Sequence, residues 1–326
     1  MEILVLHPGA LGDLILSLPA LALLRGCHRQ GAITLAGNSD YLEVIPAECA
    51  DRTLSLATLP LHRLYAPQRL SPAEALPWRR YDRVVCWTGY GDPHFTANLL
   101  DIHPDARIAG WHPGAGETRH VSRIFADSLE PWVPRHKPLR PVKIQPGSFD
   151  ERDAEEWLLE RGWDRKSAVI AIHPGAGSPS KRWPLDRYCV LAQEILREPG
   201  RVLLVVEGPA EPGLAQVVAG GLRPEQTIPA QSLPIRLLAG VLSKCRFFVG
   251  NDSGIAHLAA GLGLASLILF GPTKPEHWAP PGERVRVLRE EHNCDACACL
   301  PRSEHRCLGD IAVASVCQQM VELGFL

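Results

Sequence analysis

The sequence predicts an α/β protein built from two doubly wound, Rossmann-like domains. Short apolar runs alternate with amphipathic helical stretches along the chain, as parallel α/β architecture requires. The run Ile3-Leu4-Val5-Leu6-His7-Pro8-Gly9-Ala10 recurs 166 residues later as Val169-Ile170-Ala171-Ile172-His173-Pro174-Gly175-Ala176. Each copy is a buried strand delivering a glycine-containing loop, the opening unit of a nucleotide-type domain. The length of 326 residues fits two such domains of roughly 150 residues each.

The elements follow in order. Glu2–Leu6 reads as a buried strand, Pro8–Asp13 as a loop and Leu14–Arg25 as a helix. Strands are expected at Ala32–Leu35 and Arg83–Cys86, and a helix near Val121–Leu129. Five prolines between Pro131 and Pro146, interleaved with Arg135, Lys137, Arg140 and Lys143, rule out regular structure and mark a linker over residues 131–147. The domains are therefore expected at 1–147 and 148–326. Ser148 and Glu151 have capping-box spacing and should open a helix that Gly162 stops. Further on, Ala168–Ile172, Val202–Val206, Phe247–Val249 and Ala265–Phe270 read as strands. Leu185–Arg197, Pro234–Lys244, Ser253–Gly261 and about Asp310–Leu323 read as helices. The facing strand ends of two such domains should form a cleft, where ligands of these folds sit.

Composition narrows the function classes. Thirty-four Lys+Arg against 36 Asp+Glu leave a net charge of −2, with no general footprint for nucleic acid. Asp13 interrupts the first apolar stretch and no basic residue precedes it, so no export signal is expected. The longest apolar run, Ile255–Gly271, contains His257, Gly261 and Gly263 and reads as a buried helix and strand. A cytoplasmic protein is expected, with its ten cysteines as thiols or metal ligands.

Three loops can carry chemistry. In Gly9-Ala10-Leu11-Gly12-Asp13 the glycines allow a tight turn, and Asp13 stands where the chain enters the helix. A capping aspartate is the plain reading. A carboxylate there would repel phosphate from the helix end, so at a cleft mouth it suits a general base acting on a hydroxyl. The second loop runs from His173 to Trp183. In it Lys181, one of six lysines, follows a turn of small residues that includes Gly175, Gly177 and Ser178. A lysine and backbone amides ahead of a helix suit a diphosphate, against the alternative of a solvated surface lysine. In the third, Val249–His257, the segment Asp252-Ser253-Gly254 opens a helix whose free amides can bind phosphate. Asp252 could equally be a plain cap, and His257 a hydrogen-bonded core residue.

Together the segments HPGALGDLILSLPAL, HPGAGSPSKRWP and VGNDSGIAHLAAGLG followed by LILFGPT resemble glycosyltransferase family 9, the ADP-heptose:lipopolysaccharide heptosyltransferases and their relatives. The resemblance implies a GT-B fold, with acceptor on the N-terminal domain, nucleotide sugar on the C-terminal one, and a final helix packing back on the N-terminal domain. It makes Asp13 the catalytic base, Lys181 the donor-phosphate lysine, and Gly175, Gly177, Ser178, Asp252, Ser253, Gly254 and His257 the donor site. Glu211 falls near the expected ribose carboxylate, while Gly12 and Arg63 fall on the acceptor side. The implied reaction is an inverting in-line displacement. No DxD aspartate pair follows a strand, so no catalytic divalent metal is expected. The implied partners are ADP-heptose and a glycolipid or oligosaccharide acceptor, used by a cytoplasmic enzyme at the inner membrane surface. Where some members carry two threonines before the donor lysine, this chain has Ala176-Gly177, and His7 stands where Arg or Lys is frequent.

Cys294, Cys297, Cys299, Cys307 and Cys317 fall within 24 residues, beside His292 and His305. The Cys-x2-Cys pair with Cys307 and Cys317 could hold structural zinc or iron. Autotransporter heptosyltransferases of that family hold iron in a four-cysteine finger, which this cluster resembles with shorter spacing; the other reading is a reduced thiol loop. A transferase with another nucleotide-sugar donor, a GT-B epimerase and a non-catalytic sugar-nucleotide binder also remain open. A dehydrogenase is disfavoured because no GxGxxG is present.

Overall fold

The computed structural model describes residues 1–135, 137–290 and 307–326. Two compact units are present, Met1–Val142 and Lys143–Leu326. The division falls before the expected 147/148 boundary because Ile144 is buried and donates its N–H to the Gly261 carbonyl at 2.8 Å. That bond ties the end of the proline-rich stretch to the C-terminal unit.

Strands β1 (Glu2–Leu6), β2 (Ala32–Gly37), β3 (Arg52–Ser55), β4 (Arg83–Cys86) and β5 (Arg107–Ile108) form the sheet of the N-terminal unit. They are all parallel, in the order β3-β2-β1-β4-β5. Ile3, Leu4, Val5 and Leu6 have no exposed surface, as a central parallel strand covered on both faces demands. The strand order reverses between β1 and β4, so a crevice is expected beyond the carboxyl ends of those two strands.

The C-terminal unit repeats the plan with β6 (Ala168–His173), β7 (Arg201–Glu207), β8 (Thr227–Gln231), β9 (Phe247–Asn251), β10 (Ser266–Leu269) and β11 (Val285–Leu288). Their order is β11-β10-β9-β6-β7-β8, again all parallel. The reversal lies between β6 and β9. Leucine, isoleucine and valine from these strands pack with Trp183, Tyr188 and Leu191 into one buried core. Burying each such side chain contributes about 1.5–3 kcal/mol.

Several expected boundaries move. The first helix runs Leu11–Cys27, so Asp13 is its third residue and not part of the loop. The helix Ser148–Leu159 is capped at Gly147, whose N–H donates to Asp150 Oδ2 at 3.0 Å. The reach-back thus comes from Asp150, one residue before the Glu151 of the expected box. Gly162, at φ 88°, allows Trp163 N–H to close on the Leu158 carbonyl at 3.1 Å, the left-handed helix stop that glycine favours. The last helix is Val313–Glu322. Val316 and Met320 on this helix are buried in the C-terminal core. Trp183 Nε1–H fixes the approach to this helix by bonding the Ile311 carbonyl at 2.9 Å. No helix among the described residues is long and apolar enough to cross a membrane.

Candidate active site

In the C-terminal unit the reversal between β6 and β9 is occupied by charge. Lys181 ends a short 3-10 turn, Pro179–Lys181, and its Nζ lies 2.7 Å from Asp252 Oδ2. Thr273 donates its hydroxyl to that same oxygen at 2.6 Å. His257 Nε2 stands 3.7 Å from the other oxygen. The Asp252 side chain is only 5% exposed. Burial opposes its ionisation, yet the facing His257 ring and the Lys181 charge hold the carboxyl well below the usual carboxylate range. Asp252 is not the helix cap: that role falls to Ser253, whose Oγ accepts from Ala256 N–H at 3.2 Å. The helix begins at Gly254, and its leading amides, without intrahelical partners, suit an anion.

The loop after β6 is shaped by two further anchors. Buried Asn251, at the end of β9, donates Nδ2 to the carbonyls of Pro174 (2.8 Å) and Gly175 (3.2 Å) and accepts Trp183 N–H at 3.0 Å. Glu211 Oε1 accepts Ala176 N–H at 3.0 Å and the Arg182 guanidinium at 2.9 Å. A Cβ on Gly175 would stand 2.6 Å from Glu211 Oε2 and 2.7 Å from His173 Cε1, so only glycine passes there. Gly177 faces open space, and Ser178 Oγ bonds Ser180 Oγ at 2.9 Å. His173 is buried, with Nδ1 2.9 Å from the Val206 carbonyl; burial lowers its pKa to about 4.

The N-terminal unit has a different kind of site. Asp13 stands at the third position of the Leu11–Cys27 helix, directly after the carboxyl end of β1. Its Oδ2 accepts Ala10 N–H at 3.1 Å, and among the described residues it makes no ion pair. Gly12 precedes it in the first turn. A Cβ on Gly9 would stand 2.7 Å from both His7 Cε1 and Asp13 Cβ. His7 and Asp13 are therefore neighbours across that glycine. His7 is 1% exposed and its Nδ1 accepts Gly9 N–H at 3.2 Å. Burial lowers its pKa to about 4, against an opposing effect of the Asp13 backbone. Its ring packs among Trp87, Trp111 and Phe125, with centroids 5.5–5.9 Å away.

Other expected residues lie elsewhere or serve structure. Arg63 Nε donates to Glu74 at 2.6 Å, and Glu74 also closes the Ser71 capping box, so the arginine is held by its own unit. Cys294 and Cys297 lie outside the described residues, as do Cys299, His292 and His305. Of the remaining proposed ligands, Cys317 packs at the edge of the C-terminal core, where burial pushes its thiol up, and Cys307 is buried. Among the described residues no three His, Cys, Asp or Glu side chains gather as metal ligands. Sequence reasoning assigned no role to Thr273, Asn251 or Arg182. Thr273 was visible in the quoted FGPT segment and Asn251 directly before Asp252, but nothing in the spacing says which oxygen each would meet.

Comparison with known proteins places this geometry in context. Residues 143–307 match glycosyltransferase family 9 (heptosyltransferase). Lipopolysaccharide heptosyltransferase 2 of Salmonella typhimurium is 30% identical over 324 residues, covering 89% of this chain and 88% of the relative. Lipopolysaccharide heptosyltransferase 1 of Pseudomonas aeruginosa is 32% identical over 331 residues, covering 95% and 91%. The solved structure of Escherichia coli ADP-heptose lps heptosyltransferase II superposes with a TM-score of 0.76 at 19% identity, over 99% of this chain and 98% of that one. At that identity the likeness is one of fold.

Proposed function

Because the chain belongs to glycosyltransferase family 9, the heptosyltransferases, we propose that it moves a heptose from ADP-heptose to a sugar hydroxyl of a lipopolysaccharide-core acceptor, with inversion. Relatives named as lipopolysaccharide heptosyltransferases align over nearly the whole chain, which supports both donor and acceptor class. A glycolipid acceptor brings this cytoplasmic enzyme to the inner membrane surface as a peripheral protein.

Each unit contributes one half of the reaction. In the C-terminal unit the diphosphate of the donor meets Lys181 and the leading amides at Ser253 and Gly254. Asp252, pinned by Thr273 and His257, holds the lysine at the strand end before the donor arrives. Glu211 has one oxygen taken by Ala176 and Arg182; the other accepts a ribose hydroxyl. Gly175, Gly177 and Ser178 let the backbone approach the phosphates. Within the N-terminal unit, Asp13 removes the proton of the acceptor hydroxyl as its oxygen attacks the anomeric carbon. The bond from that carbon to the phosphate oxygen breaks, ADP departs, and Lys181 with the amides stabilises its growing charge, which is where preorganised donors act most strongly. Gly12 and Arg63 lie on the acceptor side.

The observation that carries this reading is the Asp13 carboxylate. It stands at the strand-order reversal, half-buried, with one backbone hydrogen bond and no described cation to neutralise it. ADP release and the anomeric configuration of the product, measured with ADP-heptose and an inner-core oligosaccharide, test the reading. Transfer only from a UDP-, GDP- or dTDP-sugar would overturn the donor, and a retained anomeric configuration would overturn the displacement.

A further inference from the structure

The sequence between Pro72 and Arg119 offers no acceptor motif, but the fold gathers one group of aromatic side chains there. Tyr90 follows β4, which flanks the reversal, and Trp111 follows β5, the edge strand beside it. Tyr90 is 71% exposed, the most exposed large apolar side chain among the described residues. Gly89 and Gly91, at φ 71° and 83°, turn the chain sharply on either side of it, in a left-handed conformation that glycine adopts without strain. The ring is backed by Gly110, where an added Cβ would come 3.0 Å from Tyr90 Cδ1. An exposed aromatic ring set on such a turn and braced from behind is a platform rather than a stray surface residue.

Next along the chain from Gly110, Trp111 belongs to a ring cluster that holds two nitrogens without partners. Trp111 Nε1 is buried and makes no hydrogen bond, and neither does Nε2 of His7. Since His7 Nδ1 accepts from Gly9, the proton of the neutral ring sits on Nε2, making it a donor. The two rings are 5.9 Å apart, centroid to centroid. By contrast Trp87, in the same cluster, donates Nε1–H to Ser128 Oγ at 2.8 Å. Buried donors ordinarily find an acceptor, and an unmet one costs about 1–3 kcal/mol. Two unmet donors in one cluster point to an oxygen supplied from outside the chain. Hydroxyl-rich ligands provide such oxygens, and the apolar C–H face of a pyranose suits an exposed aromatic ring.

We propose that Tyr90 and Trp111, with His7 behind them, form the acceptor-sugar subsite of the N-terminal unit. The Tyr90 ring receives the C–H face of the sugar, and Trp111 Nε1–H donates to one of its oxygens. His7 is a positioning residue. Its ring centroid lies 5.9 Å from that of Trp111, and it faces Asp13 across Gly9, so the subsite and the base share one support. This inference rests on the transferase reading for the identity of the sugar, an inner-core oligosaccharide. It is independent of that reading for the residues involved.

Steady-state kinetics and calorimetry test it separately from the reaction class. Tyr90→Ala should raise the acceptor KM about tenfold, as loss of one stacked ring predicts, while leaving the donor KM within about twofold. Tyr90→Phe, which keeps the ring, should restore the wild-type value. Trp111→Phe keeps packing but deletes the N–H, and should raise the acceptor KM about fivefold. An acceptor KM within about twofold of wild type in both Tyr90→Ala and Trp111→Phe overturns the subsite, as does a donor KM that rises in step. If the wild-type enzyme transfers no heptose at all, the function reading fails on its own. Calorimetric titration of the deacylated inner-core oligosaccharide then decides: weaker binding by Tyr90→Ala upholds the subsite, while equal binding, or none by the wild type, overturns it.

Discussion

The two copies of the strand–His-Pro-Gly-Ala loop end in opposite kinds of site. His7 and His173 both close a central strand, both are buried, and burial lowers both to a pKa of about 4. Gly9 and Gly175 are each wedged between that histidine and a carboxylate: Asp13 in the first copy, Glu211 in the second. Beyond this shared frame they diverge. At the C-terminal site the charges are paired, with Lys181 on Asp252, Thr273 and His257 against the same carboxylate, and Arg182 on Glu211. At the N-terminal site Asp13 has no ion pair among the described residues and is backed by aromatic rings with unmet donors. The first arrangement suits holding an anion that is charged throughout. The second suits taking a proton from a neutral hydroxyl.

Substituting the two carboxylate and lysine positions is the sharpest way to break this contrast. Asp13→Asn should lower kcat by about a thousandfold, the range of a lost general base, with donor affinity within a few-fold. Comparable turnover in the variant would return Asp13 to the role of a helix-end carboxylate. Acid should reveal what the two copies share. Each histidine has a folded pKa near 4 against its ordinary 6.5, so as pH falls the unfolded chain takes up protons before the folded one does. Stability is therefore complete above pH 6.5 and lost on the way down to pH 4, by about 3 kcal/mol for each histidine. Denaturation midpoints at pH 7, 5.5 and 4 should show the loss, and His7→Asn should shrink it. An unchanged slope in that variant would contradict the burial argument.

Smaller effects sharpen the comparison. Lys181→Ala should weaken donor binding and slow transfer together, lowering kcat/KM about a hundredfold, because the charge it meets exists in the ground state and grows at the transition state. Unchanged kcat and KM would make Lys181 only the partner of Asp252. For stability, Arg182→Ala strands Glu211, which is 5% exposed, and should cost about 2 kcal/mol. Arg63→Ala breaks a pair whose partners are 30% and 34% exposed and should cost under about 1 kcal/mol. Equal losses in thermal unfolding would mean that burial does not separate the two sites.

Much of this was legible beforehand, and the omissions have a pattern. All seven interior strands were read from the sequence, β1 and β4 to the residue. The four strands passed over, β3, β5, β8 and β11, are the four sheet edges. An edge strand is half exposed and can carry Arg52, Thr53, Arg107 or Pro229, so it lacks the apolar run that marks a central parallel strand.

Local sequence determined what depends on a few consecutive residues. The strand–loop–helix units, their glycine turns, the lysine ahead of a helix and the Asp13 carboxylate at a helix start all belong to this class. Tertiary structure alone decided which groups separated in sequence would meet. Thr273 and Lys181 converge on Asp252, and Arg182 and Ala176 on Glu211. His7 joins Trp111 while both keep an unmet donor. The physical reason is that backbone turns and periodic apolar faces are local properties, whereas the partner of a charge or a ring nitrogen is set by which strands the sheet order brings side by side.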